Sequence, residues 1–358
     1  MKLLETQRLY FRPFHAQDLE TFYAYAKNPN VGFDAGWKPH ENWEKSKEVL
    51  DSFIENPAVM GVIDRETDRL IGSVGIHDDP LRKKMPGSKK LGYALDEAFW
   101  GKGYMTEAIL GLLPYIFETL DCTVLSASHH LTNDRARRVI EKSGFFREGT
   151  ARKVIHRYDG SYLDADFYSL TRREYYLAKA KKLGYSLVLP EQRMEKAYRA
   201  YLAYWEKEPR IVPAAGDLKG DSYGEWFQRN KRNRTTPRPE HVPATSFFLV
   251  DREGAICGMT DIRHRLNEGL LNFGGHIGYG IRPDLWRQGL GAMLLTLSLQ
   301  KCHQMGIREA LVICQESNLA SAKVIEKNDG KYENSLIDET GAVNRRYWCE
   351  TFDRVAAD

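Results

Sequence analysis

One short string occurs twice in this chain, and each time in the same company. Val139-Ile-Glu-Lys142 returns as Val324-Ile-Glu-Lys327, and each copy lies six residues after an asparagine, Asn133 or Asn318. Each asparagine follows a tryptophan-led glycine motif, Trp100-Gly-Lys-Gly-Tyr-Met105 or Trp286-Arg-Gln-Gly-Leu-Gly291, by 33 and 32 residues. The tryptophans are 186 residues apart, the asparagines and the strings 185. Three features at one offset mark a duplication. The chain therefore reads as two copies of one domain, which suits its 358 residues. We place them at 1–177 and 185–358, divided at the polar stretch Lys179–Tyr185.

Both halves order their elements alike. In the first, Gln7–Pro13 reads as a strand and Asp18–Lys27 as a helix. Val59–Ile63 and Leu70–His77 bracket a turn and predict a hairpin. A basic loop, Arg82–Lys90, leads to strand Leu91–Leu95, the glycine motif and a helix to about Leu120. Strand Thr123–Ser128, helix Asp134–Ser143 and a closing hairpin ending at Ala165–Leu170 follow. The second half repeats this with strand Ser186–Leu189, helices Met194–Lys207 and Tyr223–Arg229, and strands Phe247–Asp251, Ala255–Arg263 and His276–Ile281. Its glycine motif opens a helix to about Met305, then strand Ala310–Cys314 and helix Ala320–Lys327. This order fits an α/β (α+β) fold with a partly antiparallel sheet.

Composition narrows the function classes. A net charge of +3 is too small for a protein built around nucleic-acid phosphates, so no nucleic-acid partner is expected. The basic run Arg229–Arg238 has no aromatic residue interleaved and reads as a solvated loop. The five cysteines form no CxxC pair and have no histidine at zinc spacing, which predicts neither metal nor disulfide and fits a reducing cytoplasm. The opening MKLLETQRLYFRPF carries Glu5, Arg8 and Arg12 and does not read as a secretory signal. No window is apolar enough for a membrane span. Oligomeric state is not written in the sequence.

Each glycine motif sits where a strand feeds a helix. The first N–H groups of a helix have no intrahelical partner, and the helix dipole adds partial positive charge there. Glycine lets the backbone approach an anion closely, so such a junction can hold a pyrophosphate without lysine or metal. The Walker ending and the GxGxxG fingerprint are both absent. A tight strand-to-helix turn would use the same glycines. The matched asparagine segment downstream favours binding.

The first half resembles the GNAT branch of acetyltransferases that includes the ribosomal-protein alanine acetyltransferases. The likeness rests on Thr6-Gln-Arg-Leu-Tyr-Phe-Arg-Pro13, Leu91-Gly-Tyr-Ala-Leu95, Trp100-Gly-Lys-Gly-Tyr-Met-Thr-Glu-Ala108 and the segment from Asn133 to Phe145. The second half resembles another GNAT branch through Val242-Pro-Ala-Thr245, Ile262–Leu266, Gly274–Pro283 and Ala320–Asn328. The resemblance implies two GNAT folds in tandem, each with a splayed pair of parallel strands forming a cleft for acetyl-CoA. It maps the CoA loop onto Gly101, Lys102, Gly103, Tyr104 and Met105, and onto Arg287, Gln288, Gly289, Leu290 and Gly291. Both copies depart from the family's Gln/Arg-x-x-Gly-x-Gly/Ala at the first position, where Trp stands, and the first departs at the last, Met105. Asn133 and Asn318 would contact pantetheine, although an N-cap is the plainer role for an Asn there.

Such an enzyme moves an acetyl group from acetyl-CoA to a primary amine of a small molecule or protein N-terminus by direct attack on the thioester. It needs a neutral amine, and a lysine amine has a pKa of about 10.4, so a base must take its proton. A strand N–H just before the loop would steady the oxyanion, with Leu95 and Ile281 nearest. The family's tyrosine acid, seven residues after the asparagine, is replaced by Ile140 and Ile325. Candidate bases are Glu97 and His129 in the first half, beside His77 and Asp78, and His276 and Glu316 in the second, beside His264. Each also reads as an ordinary strand-end or loop polar residue. The aromatic segment Phe33–Trp43 would line the acceptor pocket or simply pack. An alternative makes one domain a non-catalytic CoA-binding or scaffolding module.

Overall fold

The computed structural model describes residues 4–353, and the chain divides into two compact units between Tyr175 and Tyr176. The first unit runs β1 (Leu4–Glu5), β2 (Leu9–Arg12), α1 (Leu19–Ala26), α2 (Pro29–Ala35) and α3 (Trp43–Glu55). It continues with β3 (Val59–Asp64), β4 (Arg69–Asp78), β5 (Ser88–Leu95), α4 (Tyr104–Pro114), β6 (Val124–His130), α5 (Asp134–Lys142), β7 (Phe146–His156) and β8 (Tyr162–Thr171). The strands form one sheet in the order β1-β2-β3-β4-β5-β6-β8-β7.

β5 and β6 are parallel; the other neighbours run antiparallel. The parallel pairing holds only from Ser88 opposite Val124 to Lys90 opposite Ser126. Beyond Lys90 both strands continue, β5 to Leu95 and β6 to His130, with no ladder between them. A parallel pair joined through a helix is free to part in this way, because no hairpin pins its ends. The gap is the cleft. The α1–α3 face is sealed by Phe14, Phe22, Tyr25, Leu50, Val59, Ile63 and Leu70 at apolar spacing suited to burial.

α6 (Arg172–Leu183) contains most of Lys179–Tyr185. The polar stretch at which the sequence divides the halves therefore ends a helix. Its lysines favour the last helical turn, where cations complement the dipole.

The second unit has β9 (Ser186–Val188), α7 (Glu195–Ala203), α8 (Tyr223–Asn233), β10 (Ala244–Val250), β11 (Ile256–Arg263) and β12 (Ile277–Ile281). Then come α9 (Leu290–Gln304), β13 (Glu309–Gln315), α10 (Leu319–Glu326), β14 (Lys331–Ile337) and β15 (Val343–Glu350). The sheet is split into β12-β11-β10-β9 and β13-β15-β14. β12 and β13 stand where β5 and β6 stand in the first unit, and they meet at a single point. His276 donates its N–H to Leu311 O at 2.7 Å, and Leu311 donates its N–H to His276 Nδ1 at 3.0 Å. The basic run of the sequence is no loop at its start, since Arg229–Asn233 closes α8. Both units are α/β folds with sheets flanked by helices, as expected; the first has a mixed sheet, and the strand pairs of the second are antiparallel.

Candidate active sites

The two glycine loops reach the same shape by different residues. Gly101 and Gly103 take φ of 75° and 79°, while the second loop uses Arg287 at 61° and Gly289 at 80°. Gly103 and Gly289 are the N-caps of α4 and α9, and neither has a side chain to occupy the first helical N–H groups. Those groups stay directed at whatever anion lies before the helix. Met105, the departure in the first loop, turns its side chain into the core at 5% exposure, so it leaves the curl of the backbone alone. Gly291 has a different reason for being small. A Cβ there would come within 3.2 Å of Val324 on α10.

Lys102 donates to Ala98 O at 2.8 Å, and Tyr104 lies under the Arg8 guanidinium, 4.1 Å from its ring centroid. Arg8 also pairs with Glu107 at 2.6 Å in the first turn of α4. In the second loop Gln288 donates to Asp284 O at 3.2 Å, and Leu290 packs inward.

The tryptophans that replace the family's first loop residue have a structural use. Trp100 Nε1 donates to Leu95 O at 2.8 Å, and Trp286 Nε1 to Ile281 O at 2.7 Å. Leu95 and Ile281 end the strands that border the gaps. Asp96 N–H points to Ile71 O at 2.8 Å and Arg282 N–H to Cys257 O at 2.9 Å, both toward the neighbouring strand. Successive N–H groups of a strand alternate in direction, so those of Leu95 and Ile281 point the other way, into the gap. Each indole holds the carbonyl of the same residue and leaves the N–H available for a developing negative charge.

Two tyrosines went unassigned in the sequence. Tyr93 OH donates to Ala136 O at 3.3 Å, and Tyr279 OH meets Ser321 Oγ at 3.0 Å. They occupy equivalent places, each running from the cleft strand to the first turn of the asparagine helix. Burial raises both pKa values far above the ordinary tyrosine value, so the phenols stay protonated. The paired Gly-Tyr at 92–93 and 278–279 was the signal that could have found them.

Asn133 and Asn318 are both N-caps. Their side chains accept from Ala136 N at 2.9 Å and Ser321 N at 3.0 Å. Asn133 is buried and Asn318 exposed. Ile140 and Ile325, where an acid was expected, are fully buried.

The four candidate bases are placed very differently. Glu97 follows β5 at the mouth of the first gap, and its two oxygens accept from Asn28 Nδ2 at 2.6 Å and Asn30 Nδ2 at 3.0 Å. His129 is turned away from it. Its Nδ1 lies 2.9 Å from His130 O, which can only accept, so Nδ1 carries the proton and Nε2 receives Tyr168 OH at 3.3 Å. His276 lends Nδ1 to Leu311 N–H, which puts its proton on Nε2. Burial, then Arg263, lowers its pKa from 6.5 to about 4. His276 therefore has no lone pair free to take a proton from an amine, and the one lone pair of His129, on Nε2, faces the buried Tyr168 hydroxyl. Glu316 is exposed and paired with Arg345 at 2.9 Å. His264 bonds Thr245 Oγ1 at 2.8 Å, and Asp78 pairs with Lys89 on the surface. His77 lies over Gly75 and near Gly92.

The neighbour of His129 was missed. His130, one residue on, faces the opposite side of β6, buried against Phe33, with Nε2 3.4 Å from Asp34 Oδ1. Arg135 reaches Asp34 at 2.7 Å. Burial alone would raise the Asp34 pKa, yet His130 and Arg135 outweigh it and hold the carboxyl below its ordinary value. Of the segment Phe33–Trp43, Phe33 and Asp34 thus pack against His130 of β6. Trp37 packs with Nε1 on Ala26 O at 3.2 Å, and Trp43 is 45% exposed. Among the described residues no cluster suits a metal ion, and no helix is long and apolar enough to cross a membrane.

Comparison with known proteins identifies the family. The family model described as acetyltransferase (GNAT) domain matches twice, over residues 8–146 and 187–331. The uncharacterized N-acetyltransferase YoaA of Bacillus subtilis (strain 168) is 28% identical over 175 residues, 48% of this chain and 97% of that protein. The uncharacterized N-acetyltransferase p20 of Bacillus licheniformis is 27% identical over 180 residues, 49% of this chain and 99% of its own length. A solved GNAT-family acetyltransferase from Bacillus anthracis covers 47% of this chain and 98% of its own, at 22% identity and a TM-score of 0.43. The chain belongs to the GNAT acetyltransferase family and carries that domain twice; it is an acetyltransferase enzyme.

Proposed function

We propose that the chain transfers the acetyl group of acetyl-CoA to a primary amine by direct attack on the thioester, with one cleft in residues 1–177 and one in 185–358. The observation that carries this reading recurs in both units: a strand N–H aimed into the gap, at Leu95 or Ile281, beside a helix N-terminus opened by glycine, at Gly103 or Gly289. A pyrophosphate at the helix end and a thioester in the gap would use both sets of donors. Tyr104, Met105, Leu290 and Gly291 would offer main-chain N–H groups to the phosphates. Asn133 and Asn318 border the pantetheine path with the side chain already holding its helix.

In the first unit proton removal falls to Glu97, directly or through water, since Asn28 and Asn30 fix its carboxylate at the cleft mouth. The amine nitrogen then forms the C–N bond, the Leu95 N–H steadies the oxyanion, the C–S bond breaks and CoA leaves as the thiol. Removing one oxyanion donor or a base typically costs about 10²–10³-fold in rate. Glu97→Gln should therefore lower kcat at least about tenfold while leaving acetyl-CoA affinity intact.

The test is titration of acetyl-CoA into the full chain by calorimetry, followed by thiol release against a panel of amines. Two bound acetyl-CoA and amine-dependent thiol support the reading. Binding without turnover on any amine favours a CoA-holding module, and no binding at either loop defeats it.

A further inference from the structure

The second unit has a cavity of about 720 Å³ that stands apart from its cleft. It lies on the sheet face opposite α9. Thr260 of β11 turns to α9 and accepts from Ser298 Oγ at 3.0 Å, whereas the next residue, Asp261, faces the cavity. Among the described residues, none of the glycine loop, β12 or β13 lines it. Between cavity and cleft strand runs the segment from Val212 to Ala215. Its Ala214 and Ala215 face the cavity, while Val212 and Pro213 lie against Gly280 and Gly278 of β12. Trp226 pins this wall, donating from Nε1 to Ala215 O at 2.9 Å. A ligand held in the cavity is therefore kept from a thioester at Ile281.

The floor is a row of buried polar groups. Asn230 of α8 donates from Nδ2 to Ser246 Oγ at 2.8 Å, and Ser246 donates onward to Asp261 Oδ1 at 2.8 Å. Arg263 Nε ends the row, 3.1 Å from Asp261 Oδ2. Ser246 gives its one proton to Asp261, so the Asn230 amide turns its nitrogen to Ser246 and its oxygen away. That oxygen, on a residue 8% exposed, has no partner. Buried amide oxygens are seldom left so. The floor is thus short of donors and suits a ligand that brings hydroxyl groups.

The rim is basic. Arg229 is taken by Asp221 and Arg263 by Asp261. Lys219, Arg232 and Arg238 line the cavity with exposed side chains and, among the described residues, no ion pair. Asp217, the remaining acid of the lining, accepts the Lys219 backbone N–H at 2.9 Å. Three free cations against one carboxylate leave an excess that a ligand with two or more negative charges would meet through charge-assisted bonds. The volume falls in the range of small-molecule pockets and far exceeds what an inorganic ion fills.

We propose that this cavity is a second ligand site, separate from acetyl transfer, for a small hydroxylated organic anion carrying phosphate or several carboxylates. The anionic groups lie against Lys219, Arg232 and Arg238, and the hydroxyls face the acceptors of the floor. No bond is made or broken there.

The test is calorimetry on the full chain with saturating acetyl-CoA and no amine present, using matched probes. Ribose 5-phosphate is compared with ribose, and citrate with tricarballylate, which lacks only the hydroxyl. Ribose 5-phosphate and citrate should each bind at a single site. Ribose should bind at least about tenfold more weakly than its phosphate. Tricarballylate should bind about fivefold more weakly than citrate, the worth of one hydrogen bond. Joint replacement Arg232→Gln and Arg238→Gln should weaken both anions about tenfold and leave acetyl-CoA affinity unchanged. Tighter binding of ribose 5-phosphate would name a phosphate as the ligand's anion, and tighter binding of citrate a carboxylate. Displacement of the anions by acetyl-CoA, equal binding within either pair, or unaltered binding in the double variant would each overturn the proposal.

Discussion

His276 stands in for a backbone carbonyl. At the point where β12 and β13 begin to part, its ring nitrogen takes the N–H of Leu311 that a continuing ladder would have satisfied. The role requires a neutral ring, and burial and Arg263 supply that by lowering the pKa from 6.5 to about 4. In the unfolded chain the ring binds a proton near its ordinary value. Between those two values the unfolded state holds more protons than the folded one, so stability falls as pH drops from about 6.5 towards 4. His276→Asn offers a side-chain oxygen in place of Nδ1 and does not titrate, so denaturant unfolding of this variant should lose that pH dependence. His276→Ala should cost about 1–3 kcal/mol at neutral pH by orphaning a buried N–H. The sequence marked His276 as a candidate base or an ordinary strand histidine and not as a strand-bridging acceptor, since its partner lies 35 residues on. It singled out His129 and passed over His130, which meets Asp34, for a related reason. In a strand, neighbouring side chains face opposite sides, and nothing local says which of His129 and His130 faces the gap. The tryptophans were legible as departures from a motif but not as donors to Leu95 and Ile281. Trp286→Phe should weaken acetyl-CoA binding to the second unit about fivefold in calorimetry, the worth of one hydrogen bond that positions the strand end. A variant that binds as tightly as the parent would refute that role.

At the scale of elements the repeat legible in the sequence carried most of the fold, because strand, glycine turn and helix each have local signatures. What it did not carry was set by contacts distant in sequence. α6 follows from capping and packing of Arg172–Leu183, and the hairpin of β14 and β15 gains its place from pairing with β13. α4 was expected to run to Leu120 and instead changes to a wider turn at Tyr115–Thr119 after Pro114, which lacks an N–H to continue the ladder. The glycine loops permit a sharper comparison. Gly101 occupies a left-handed conformation freely, whereas Arg287, its counterpart, holds φ of 61° with a Cβ, at a cost of about 1–2 kcal/mol. Arg287→Gly should therefore stabilise the second unit or leave it unchanged, by up to about 1 kcal/mol after the looser unfolded chain is counted. Gly289→Ala, at φ of 80°, should destabilise it by about 1 kcal/mol. Guanidinium chloride unfolding of the two variants tests the pair, and a large loss from Arg287→Gly would show that the side chain, and not the backbone, sets this loop.

For the molecule as a whole, duplication has left two units with matching glycine loops and different surroundings. The loops, the strand N–H groups, the indole donors and the bridging tyrosines correspond one to one. The faces that would receive an amine do not. The first has Glu97 between two asparagines and the set Asp34, His130 and Arg135; in the second, Val212 and Pro213 lie against Gly280 and Gly278 of β12. A carboxylate beside the first gap suits amines of positive or no charge, whereas the Val212–Pro213 backbone over β12 leaves the second less room for an acceptor. Each named set belongs to one unit, so the effects of disabling one loop should be separable from those of the other. A β-branched residue cannot adopt the left-handed turn at either N-cap without strain. Gly103→Val and Gly289→Val should each halve the acetyl-CoA stoichiometry of the full chain in calorimetry. The first should remove turnover of the amines that depend on Glu97, and the second should leave that turnover in place. If both variants instead reduce every amine in the same proportion, the two clefts share one acceptor range, and the divergence of their faces has no part in choosing it.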